Sequence, residues 1–414
     1  FTFEMHHRFS ETVKKWWPVK GSLQYYTQLA NHDRLLHGRR LLTFSDGNST
    51  FRISSLGFLH YTTVTLGTPG LKFLVALDTG SDLFWVPCEC GRCASDIELS
   101  IYSLNGSSTS KKVTCSDSLC RNNCLSSNHC PYSVSYVSSE TSTSGILVDD
   151  ILHLRTDDNF VQARVIFGCG QEQTGSFLDV AAPNGLFGLG LEKVSVPSIL
   201  SQEGFMADSF SMCFGSDGAG RISFGDKGSF DQEETPFNIN PTYNISVDQI
   251  RVGTTVDSGF TALFDTGTSF TYLADLSYTK LSESFHSQVR DKRDPRIPFE
   301  YCYDMSPDEN TSLIPSLSLT MSGGGQLAVN DPIIVISTQN QLMYCLAIVK
   351  SDALNIIGQN FMTGYRFVFD REKIILGWKK FDCYDIEKID HFPSQPVNTP
   401  PAFAVVPGND NAEK

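Results

Sequence analysis

The stretch Phe73-Leu-Val-Ala-Leu-Asp-Thr-Gly-Ser81 places a carboxylate at the end of an apolar run, and apolar residues resume a few positions later. A carboxylate in apolar surroundings must be solvated by hydrogen bonds or be protonated. The Thr79 and Ser81 hydroxyls are donors of such bonds, and Gly80 lets its backbone N–H approach closely. The stretch therefore predicts a strand that ends in a loop built around Asp78.

The pattern returns in the second half of the chain as Thr261-Ala-Leu-Phe-Asp-Thr-Gly-Thr268. Further along each half there is a second echo, Asn184-Gly-Leu-Phe-Gly-Leu-Gly190 and then Asn355-Ile-Ile-Gly-Gln-Asn360. A pair of motifs repeated once per half predicts two related lobes.

Two such loops facing each other would bring Asp78 and Asp265 into contact. Like charges in contact do not both ionise easily, so the pair would share one proton and titrate as a unit. The ionised partner can then activate a water molecule while the protonated partner polarises a peptide carbonyl, without a metal ion or other cofactor. A single Asp-Thr-Gly is often only a turn, and it is the repeat that favours catalysis.

Length and composition agree with this organisation. The chain has 414 residues, 40% of them hydrophobic and 19% charged, which predicts a globular protein with more than one core. Strand patterns bounded by Gly, Pro, Asn and Ser dominate from about residue 52, and the fold class is predicted to be all-β with a few helices. The strands expected are Tyr61–Leu66, Phe73–Leu77, Val161–Phe167, Arg221–Phe224, Ile314–Met321 and Tyr365–Asp370. The helices expected are Val196–Gln202 and Asp275–Val289, the latter with Asp275 as N-cap.

With its paired motifs the chain resembles pepsin-family (A1) aspartic proteases, and among them the plant nucellin-like and nepenthesin-like group, over about residues 55–385. The resemblance implies a bilobal β fold with a cleft between the lobes, and it makes Asp78 and Asp265 the catalytic pair. It also implies supporting roles in the two loops. Gly80 and Gly267 would lie beside the water, Thr79 and Thr266 would cross-brace the loops, and Ser81 and Thr268 would bond the outer carboxylate oxygens.

The family also has a flap, a hairpin whose tyrosine closes over substrate and bonds a tryptophan. Tyr136 matches that tyrosine and Trp85 matches the tryptophan, although core packing is the commoner fate of both residue types. The flap departs from the family pattern, because it reads Tyr136-Val-Ser-Ser-Glu-Thr-Ser-Thr-Ser-Gly145 and lacks glycines at its tip. We expect Glu140 at this tip to alter specificity while catalysis is retained.

Twelve cysteines, seven of them between Cys88 and Cys130, suggest several disulfides and an oxidising compartment. Their spacing also permits zinc ligation, which the secreted context disfavours. The cluster resembles the cysteine-rich insert of nepenthesin-like enzymes. The resemblance implies a bridge between Cys302 and Cys345, and we also expect one between Cys88 and Cys169.

The predicted domains are a prosegment over residues 1–47, an N-terminal β lobe over 52–234, a C-terminal β lobe over 235–385 and a Pro-rich disordered tail over 386–414. Residues 1–47 hold seven basic and four acidic side chains, whereas the whole chain carries −14. A basic leader can dock on an acidic body and loosen as carboxylates protonate. A flexible N-terminal arm is the plainer alternative.

The net charge of −14 argues against a nucleic-acid partner. No apolar run reaches the roughly 18 residues that cross a bilayer. The chain starts with Phe, so we expect that a signal peptide was removed, and a removed C-terminal lipid-anchor signal stays open. We expect a monomer that is secreted, extracellular or vacuolar, or anchored at the cell surface. Candidate N-glycosylation sites are Asn48, Asn105, Asn244 and Asn310.

The function predicted is an aspartic endopeptidase that cuts extended peptides in mild acid. The main alternative is a catalytically inactive pepsin-like protein that binds or inhibits another protein. A structural cell-wall protein is a third reading, and it leaves the paired motifs unexplained.

Overall fold

A computed structural model describes residues 2–6, 44–45, 50–51, 60–94, 100–120, 124, 128–136, 141–155, 160–178, 182, 184–215, 219–238, 242–296, 299–305, 314–337 and 342–383. Strands make up most of this part of the chain, in two lobes, so the all-β, bilobal prediction is confirmed. Most of the predicted prosegment over residues 1–47 and all of the predicted tail over 386–414 lie outside the described residues.

The first half contains thirteen strands and one α-helix among the described residues. The strands are β1 (Thr2–His6), β2 (Phe44–Ser45), β3 (Thr50–Phe51), β4 (His60–Leu66), β5 (Leu71–Asp78), β6 (Trp85–Arg92), β7 (Lys111–Lys112), β8 (Pro131–Ser135), β9 (Ser142–Arg155), β10 (Phe160–Gln173), β11 (Leu186–Gly188), β12 (Ser209–Phe214) and β13 (Ala219–Phe224). The helix is α1 (Val196–Gln202), with the limits that the sequence predicted.

The second half likewise contains thirteen strands and one α-helix within the described ranges. The strands are β14 (Glu233–Pro236), β15 (Asn244–Val252), β16 (Thr255–Phe264), β17 (Thr271–Ala274), β18 (Cys302–Asp304), β19 (Leu317–Met321), β20 (Gln326–Val329), β21 (Ile333–Ser337), β22 (Leu342–Leu346), β23 (Ile348–Ser351), β24 (Ile356–Ile357), β25 (Tyr365–Asp370) and β26 (Ile375–Lys380). The helix is α2 (Asp275–His286).

The N-cap prediction for α2 was wrong by one position. Ala274 takes the extended N-cap conformation, and Asp275 is the first helical residue. Its negative charge there interacts favourably with the positive end of the helix dipole. The helix ends at His286, three residues before the predicted end, while Tyr278, Leu281 and Phe285 form its buried face.

The two halves meet in one large sheet. Its strand order is β14-β26-β25-β12-β13-β1-β4-β5-β11-β6-β10-β9-β7, so strands from the end of the chain pair directly with strands of the first half. Across this junction the rings of Phe210 and Phe369 stack at 4.7 Å, and both side chains are buried. A second sheet, β20-β19-β15-β16-β24-β17-β23, and a three-stranded sheet, β18-β22-β21, complete the second lobe.

The second sequence repeat positions the two aspartates. In the first half β11 runs parallel to β5 and pairs Gly188 with Asp78, and in the second half β24 runs parallel to β16 and pairs Ile357 with Phe264. The glycine of each apolar-apolar-Gly element also lets the backbone beyond the aspartate loop approach closely: a Cβ on Gly188 would lie 2.2 Å from the Asp82 carbonyl carbon, and one on Gly358 would lie 2.2 Å from the Phe270 carbonyl oxygen. The repeat therefore encodes two matching supports, one behind each aspartate.

All twelve cysteines are paired. Both pairings named from the sequence, Cys88–Cys169 and Cys302–Cys345, are present, so the cysteine-rich cluster is a disulfide framework and not a set of zinc ligands. The other four bridges are Cys90–Cys93, Cys115–Cys124, Cys120–Cys130 and Cys213–Cys383.

The backbone of Thr2–His6 inserts β1 between β13 and β4, with the pairs Thr2–Ser223 and His6–Tyr61 at its two ends. The prosegment assignment of residues 1–47, like the lobe boundaries, stays a prediction. Within the described residues no helix is long and apolar enough to cross a membrane.

Candidate active site

Asp78 lies at the end of β5, where the chain turns sharply. Its Oδ1 accepts a 2.8 Å hydrogen bond from the Gly80 N–H, and its Oδ2 accepts one of 2.6 Å from the Ser81 hydroxyl. Only 8% of the Asp78 side chain is exposed. The small residues of the loop thus solvate a carboxylate that water barely reaches, as the sequence suggested.

Asp265 repeats this arrangement at the end of β16. Its Oδ1 accepts a 2.7 Å bond from the Gly267 N–H, and its Oδ2 accepts a 2.7 Å bond from the Thr268 hydroxyl. Asp265 is also 8% exposed. The two loops therefore present equivalent oxygens: an inner Oδ1 bonded to a glycine and an outer Oδ2 bonded to a hydroxyl.

The two inner oxygens converge between the two glycines. A Cβ on Gly267 would lie 2.7 Å from Asp78 Oδ1 and 3.1 Å from Asp265 Oδ1, and a Cβ on Gly80 would lie 3.1 Å and 3.0 Å from the same two atoms. Any side chain at either glycine would crowd these oxygens. The arrangement leaves the pair facing one small space, where both carboxyl groups can contact the same molecule.

Thr79 and Thr266 tie the loops together. The Thr79 N–H donates to Thr266 Oγ1 at 3.2 Å, and the Thr266 N–H donates to Thr79 Oγ1 at 3.0 Å. Each hydroxyl in turn donates to a carbonyl of the opposite strand, Thr79 to Phe264 at 3.2 Å and Thr266 to Leu77 at 3.4 Å. This network fixes the separation of the two carboxylates.

The electrostatics of the pair follow from burial and proximity. Burial, followed by the negative charge of Asp265, raises the pKa of Asp78 to about 7, against the lowering effect of the Ser81 and Gly80 hydrogen bonds. The Asp82 carboxylate adds a smaller upward contribution to this pKa. Near neutral pH the pair therefore holds a proton that an isolated carboxyl would have lost.

Tyr136 and Trp85 lie beside this pair. The Trp85 indole N–H donates a 2.9 Å hydrogen bond to the Tyr136 hydroxyl, and Phe177 contacts both rings edge-on at 4.9 Å and 5.0 Å. Burial and the nearby charge of Asp78 raise the pKa of Tyr136 well above its usual value. The backbone of Tyr136 belongs to a hairpin, since its N–H donates a 3.0 Å hydrogen bond to the Thr141 carbonyl oxygen. Glu140 lies outside the described residues.

Sequence reasoning missed three polar contacts around the loops. Asn184 Oδ1 accepts from the Leu74 N–H at 3.1 Å, and the Asn355 side chain donates to Thr261 O at 3.0 Å, so the first residue of each second motif buttresses an aspartate strand. The repeat itself was the available signal for these asparagines. The third contact has no counterpart in the first half: the Gln359 side-chain amide donates to the Thr266 carbonyl oxygen in the Asp265 loop.

Two of the four glycosylation candidates are described. Asn105 is exposed in a 3-10 turn, Leu104–Gly106. Asn244 begins β15 and its amide donates to Thr242 Oγ1 at 2.6 Å. Asn48 and Asn310 lie outside the described residues.

Comparison with known proteins agrees with this geometry. The family model described as xylanase inhibitor, N-terminal, matches residues 60–226, and its C-terminal counterpart matches residues 242–380. Aspartyl protease family protein 1 of Arabidopsis thaliana is 56% identical over 93% of this chain and 82% of that protein. The chain belongs to the plant pepsin-like aspartic protease family.

Other members of this family match at lower identity. Aspartic proteinase-like protein 1 of Arabidopsis thaliana is 38% identical over 96% of this chain and 84% of its own length. Aspartic proteinase nepenthesin-2 of Nepenthes gracilis is 28% identical over 71% of this chain and 70% of that protein. Among solved structures, the soybean basic 7S globulin superposes with a TM-score of 0.63 at 20% identity, covering 79% of this chain and 94% of the globulin. At that identity the likeness concerns the fold alone.

Proposed function

We propose that this chain is an active aspartic endopeptidase whose catalytic pair is Asp78 and Asp265. The observation that carries the proposal is the convergence of two buried inner oxygens, each within 3.1 Å of one point beside Gly267. The pKa of Asp78 is raised to about 7, so the pair keeps at least one proton throughout the acidic range. Peptide hydrolysis needs a base and an acid, and in such a pair the ionised carboxylate is the base and the protonated carboxyl is the acid.

In the proposed reaction a water molecule bridges the inner oxygens. The ionised carboxylate takes a proton from this water as its oxygen attacks the peptide carbonyl carbon, while the protonated carboxyl transfers its proton to the carbonyl oxygen. A tetrahedral diol results. The carboxyl that took the water proton then protonates the peptide nitrogen, while the other carboxylate takes a proton from one diol hydroxyl. The C–N bond breaks, the products are a carboxylic acid and an amine, and the pair again holds one proton. The Ser81 and Thr268 hydroxyls hold the outer oxygens throughout, so the carboxylates need not reorient.

Substrate would lie as an extended peptide between the pair and Tyr136. The Trp85, Tyr136 and Phe177 rings border this side of the site. Such a border favours apolar side chains next to the cut bond, because aromatic rings bury apolar area well. The six disulfides support an oxidising compartment, and we propose a secreted or vacuolar monomer that acts on peptides or proteins.

A test starts from acid-treated full-length protein and a peptide library, assayed with and without pepstatin. Asp78→Asn and Asp265→Asn should each abolish cleavage, whereas Asp248→Asn, which replaces an exposed carboxylate of the same lobe as Asp265, should not. Cleavage that survives both pepstatin and Asp78→Asn would contradict the aspartic mechanism. A folded protein without cleavage at any pH would favour the inactive binding protein instead.

A further inference from the structure

One peptide unit links Gln359 to the catalytic pair. The Gln359 Nε2 donates to Thr266 O at 2.5 Å, and the N–H of the same Thr266–Gly267 peptide donates to Asp265 Oδ1 at 2.7 Å. In a trans peptide the C=O and N–H point in opposite directions. The Gln359 amide therefore holds this peptide from behind, and a chain of two hydrogen bonds that polarise each other ends on the inner oxygen of Asp265.

The other half of the protein lacks this chain. Strand register makes Gly188 the equivalent of Gly358, so Leu189 is the equivalent of Gln359. Both residues donate their backbone N–H to the neighbouring aspartate loop, although to different positions of it: Leu189 to Asp78 O at 2.9 Å and Gln359 to Thr268 O at 2.8 Å. A leucine side chain has no donor, however, so the peptide behind Asp78 receives no such bond from this position.

The amide at position 359 also carries an energetic cost. Gln359 is only 4% exposed, and among the described residues no donor contacts its Oε1. A buried acceptor left without a partner costs about 1–3 kcal/mol. An apolar side chain such as the equivalent leucine would avoid this cost, so packing alone does not account for a glutamine here.

We propose that Gln359 is a positioning residue that biases the catalytic pair, so that Asp265 carries the negative charge and Asp78 holds the shared proton. The inference rests on the proposed function, and it assigns roles that the near-symmetry of the two loops leaves open. A hydrogen bond to the charged form of a carboxyl favours ionisation, and polarisation by Gln359 strengthens the one that Asp265 receives from Gly267.

The surroundings of Asp78 act in the same direction. Repulsion from the Asp82 carboxylate adds to the effects of burial and of Asp265, and it disfavours a negative charge on Asp78. The hydrogen bonds from Gln359 and Gly267 therefore favour a negative charge on Asp265, and the Asp82 carboxylate disfavours one on Asp78.

The experiment compares Gln359→Met, which keeps the length of the side chain and removes the donor, with Gln359→Glu. We expect Gln359→Met to lower kcat by about tenfold to a hundredfold at nearly unchanged KM, because the bond acts on the reacting carboxylate and not on substrate. The acid limb of its kcat/KM profile should move to higher pH. In Gln359→Glu the introduced carboxyl can donate to Thr266 O only when protonated, so activity should be retained at low pH and lost as the pH rises. Gln326→Met, an exposed glutamine of the same lobe, should leave the profile unchanged.

A second readout does not depend on cleavage. Carbon NMR of the labelled aspartate carboxyls follows the titration of Asp78 and Asp265 in the wild type and in Gln359→Met. We expect the wild-type Asp265 resonance to titrate at the lower pH of the two, and this gap to narrow in the variant. Equal titration of the two carboxyls in the wild type, or a folded Gln359→Met with wild-type kcat and acid limb, would overturn the proposal. A wild-type protein without any peptidase activity would instead defeat the proposed function, and the carboxyl titrations would still decide the order of ionisation.

Discussion

Thr79 and Thr266 exchange backbone-to-hydroxyl hydrogen bonds of 3.2 Å and 3.0 Å, although 187 residues separate them in the chain. Both side chains are buried, at 1% and 0% exposure. Their hydroxyls serve at once as acceptors from the opposite loop and as donors to the opposite strand. This reciprocal pair is what makes two distant loops into one site of fixed geometry.

Thr266→Val should therefore reduce both stability and catalysis. Valine has nearly the same shape, but it leaves the buried Thr79 N–H and Leu77 carbonyl without their partner at position 266. We expect the free energy of unfolding to fall by about 1–3 kcal/mol per unsatisfied group and kcat to fall with it. Urea denaturation and peptide cleavage measure the two effects.

Thr266→Ser is the matched control, because it keeps the hydroxyl and removes only a methyl group. It should lose about 1 kcal/mol of stability and retain most of the activity. Equal losses in Thr266→Val and Thr266→Ser would show that methyl packing, and not the hydrogen-bond exchange, holds the loops.

Asp78 should make the protein less stable as the pH rises. Its pKa in the folded protein, about 7, lies above the ordinary value of 3.8, so the folded state binds a proton that the unfolded state releases. The stability of the folded state is then fully present below about pH 4 and declines as the pH rises toward about 7. The expected decline amounts to a few kcal/mol at most, since each pH unit contributes about 1.4 kcal/mol for one proton.

Asp78→Asn should remove this dependence, because an amide does not titrate. We expect its Tm to exceed that of the wild type at neutral pH and to match it more closely in acid, with cleavage abolished throughout. Calorimetry from acid to neutral pH measures the difference between the two curves. Parallel curves would mean that folding does not raise the pKa of Asp78.

Much of the fold and of the site could be predicted from the sequence because the same motif occurs twice. A buried carboxylate flanked by small donors has few structural explanations, and its repetition pointed to Asp78 and Asp265 as a pair. The limits of β25 and α1 were predicted to the residue, since turn residues and strong apolar runs bound them. The helix end at His286 was missed because helical periodicity continues to Val289.

What could not be predicted depends on contacts between distant segments. Gln359 lies 93 residues from Thr266, and nothing near it in the sequence marks its amide as a support of the Asp265 loop. The repeat even obscured it, because repetition directs attention to what the halves share and Gln359 is where they differ. Phe177 was missed for a similar reason: a single aromatic after a strand gives no sign that it will contact both Trp85 and Tyr136.

Tyr136→Phe should lower kcat/KM by about tenfold, since it removes one buried hydrogen bond, to the Trp85 indole, that holds the ring near Asp78. Trp85→Phe should have at least this effect, because it removes the donor and leaves a cavity. The double variant should lose less than the sum of the two single losses, because both delete the same bond. Additive losses in this cycle would show that the two residues act independently, and the flap assignment of Tyr136 would lose its main support.

The buried ion pair between Arg366 and Asp226 should be among the most sensitive points of the junction between the lobes. Arg366 Nε donates to Asp226 Oδ2 at 2.9 Å, and the two side chains are 8% and 12% exposed. Asp226 also accepts from the Ser211 hydroxyl, so one carboxylate at the end of the first lobe holds strands from both halves. Asp226→Asn leaves the guanidinium buried without a counter-charge, which should cost about 3–5 kcal/mol of unfolding free energy.

Asp231→Asn is the comparison for this pair. Asp231 contacts Lys379 at 2.6 Å, but the two side chains are 46% and 42% exposed, so water replaces the lost interaction. Urea denaturation should therefore separate the two variants clearly, with a large loss for Asp226→Asn and little change for Asp231→Asn. A small loss in both would mean that hydration reaches Arg366 in solution, and the junction would then depend on strand pairing and on the stacked Phe210 and Phe369 rings.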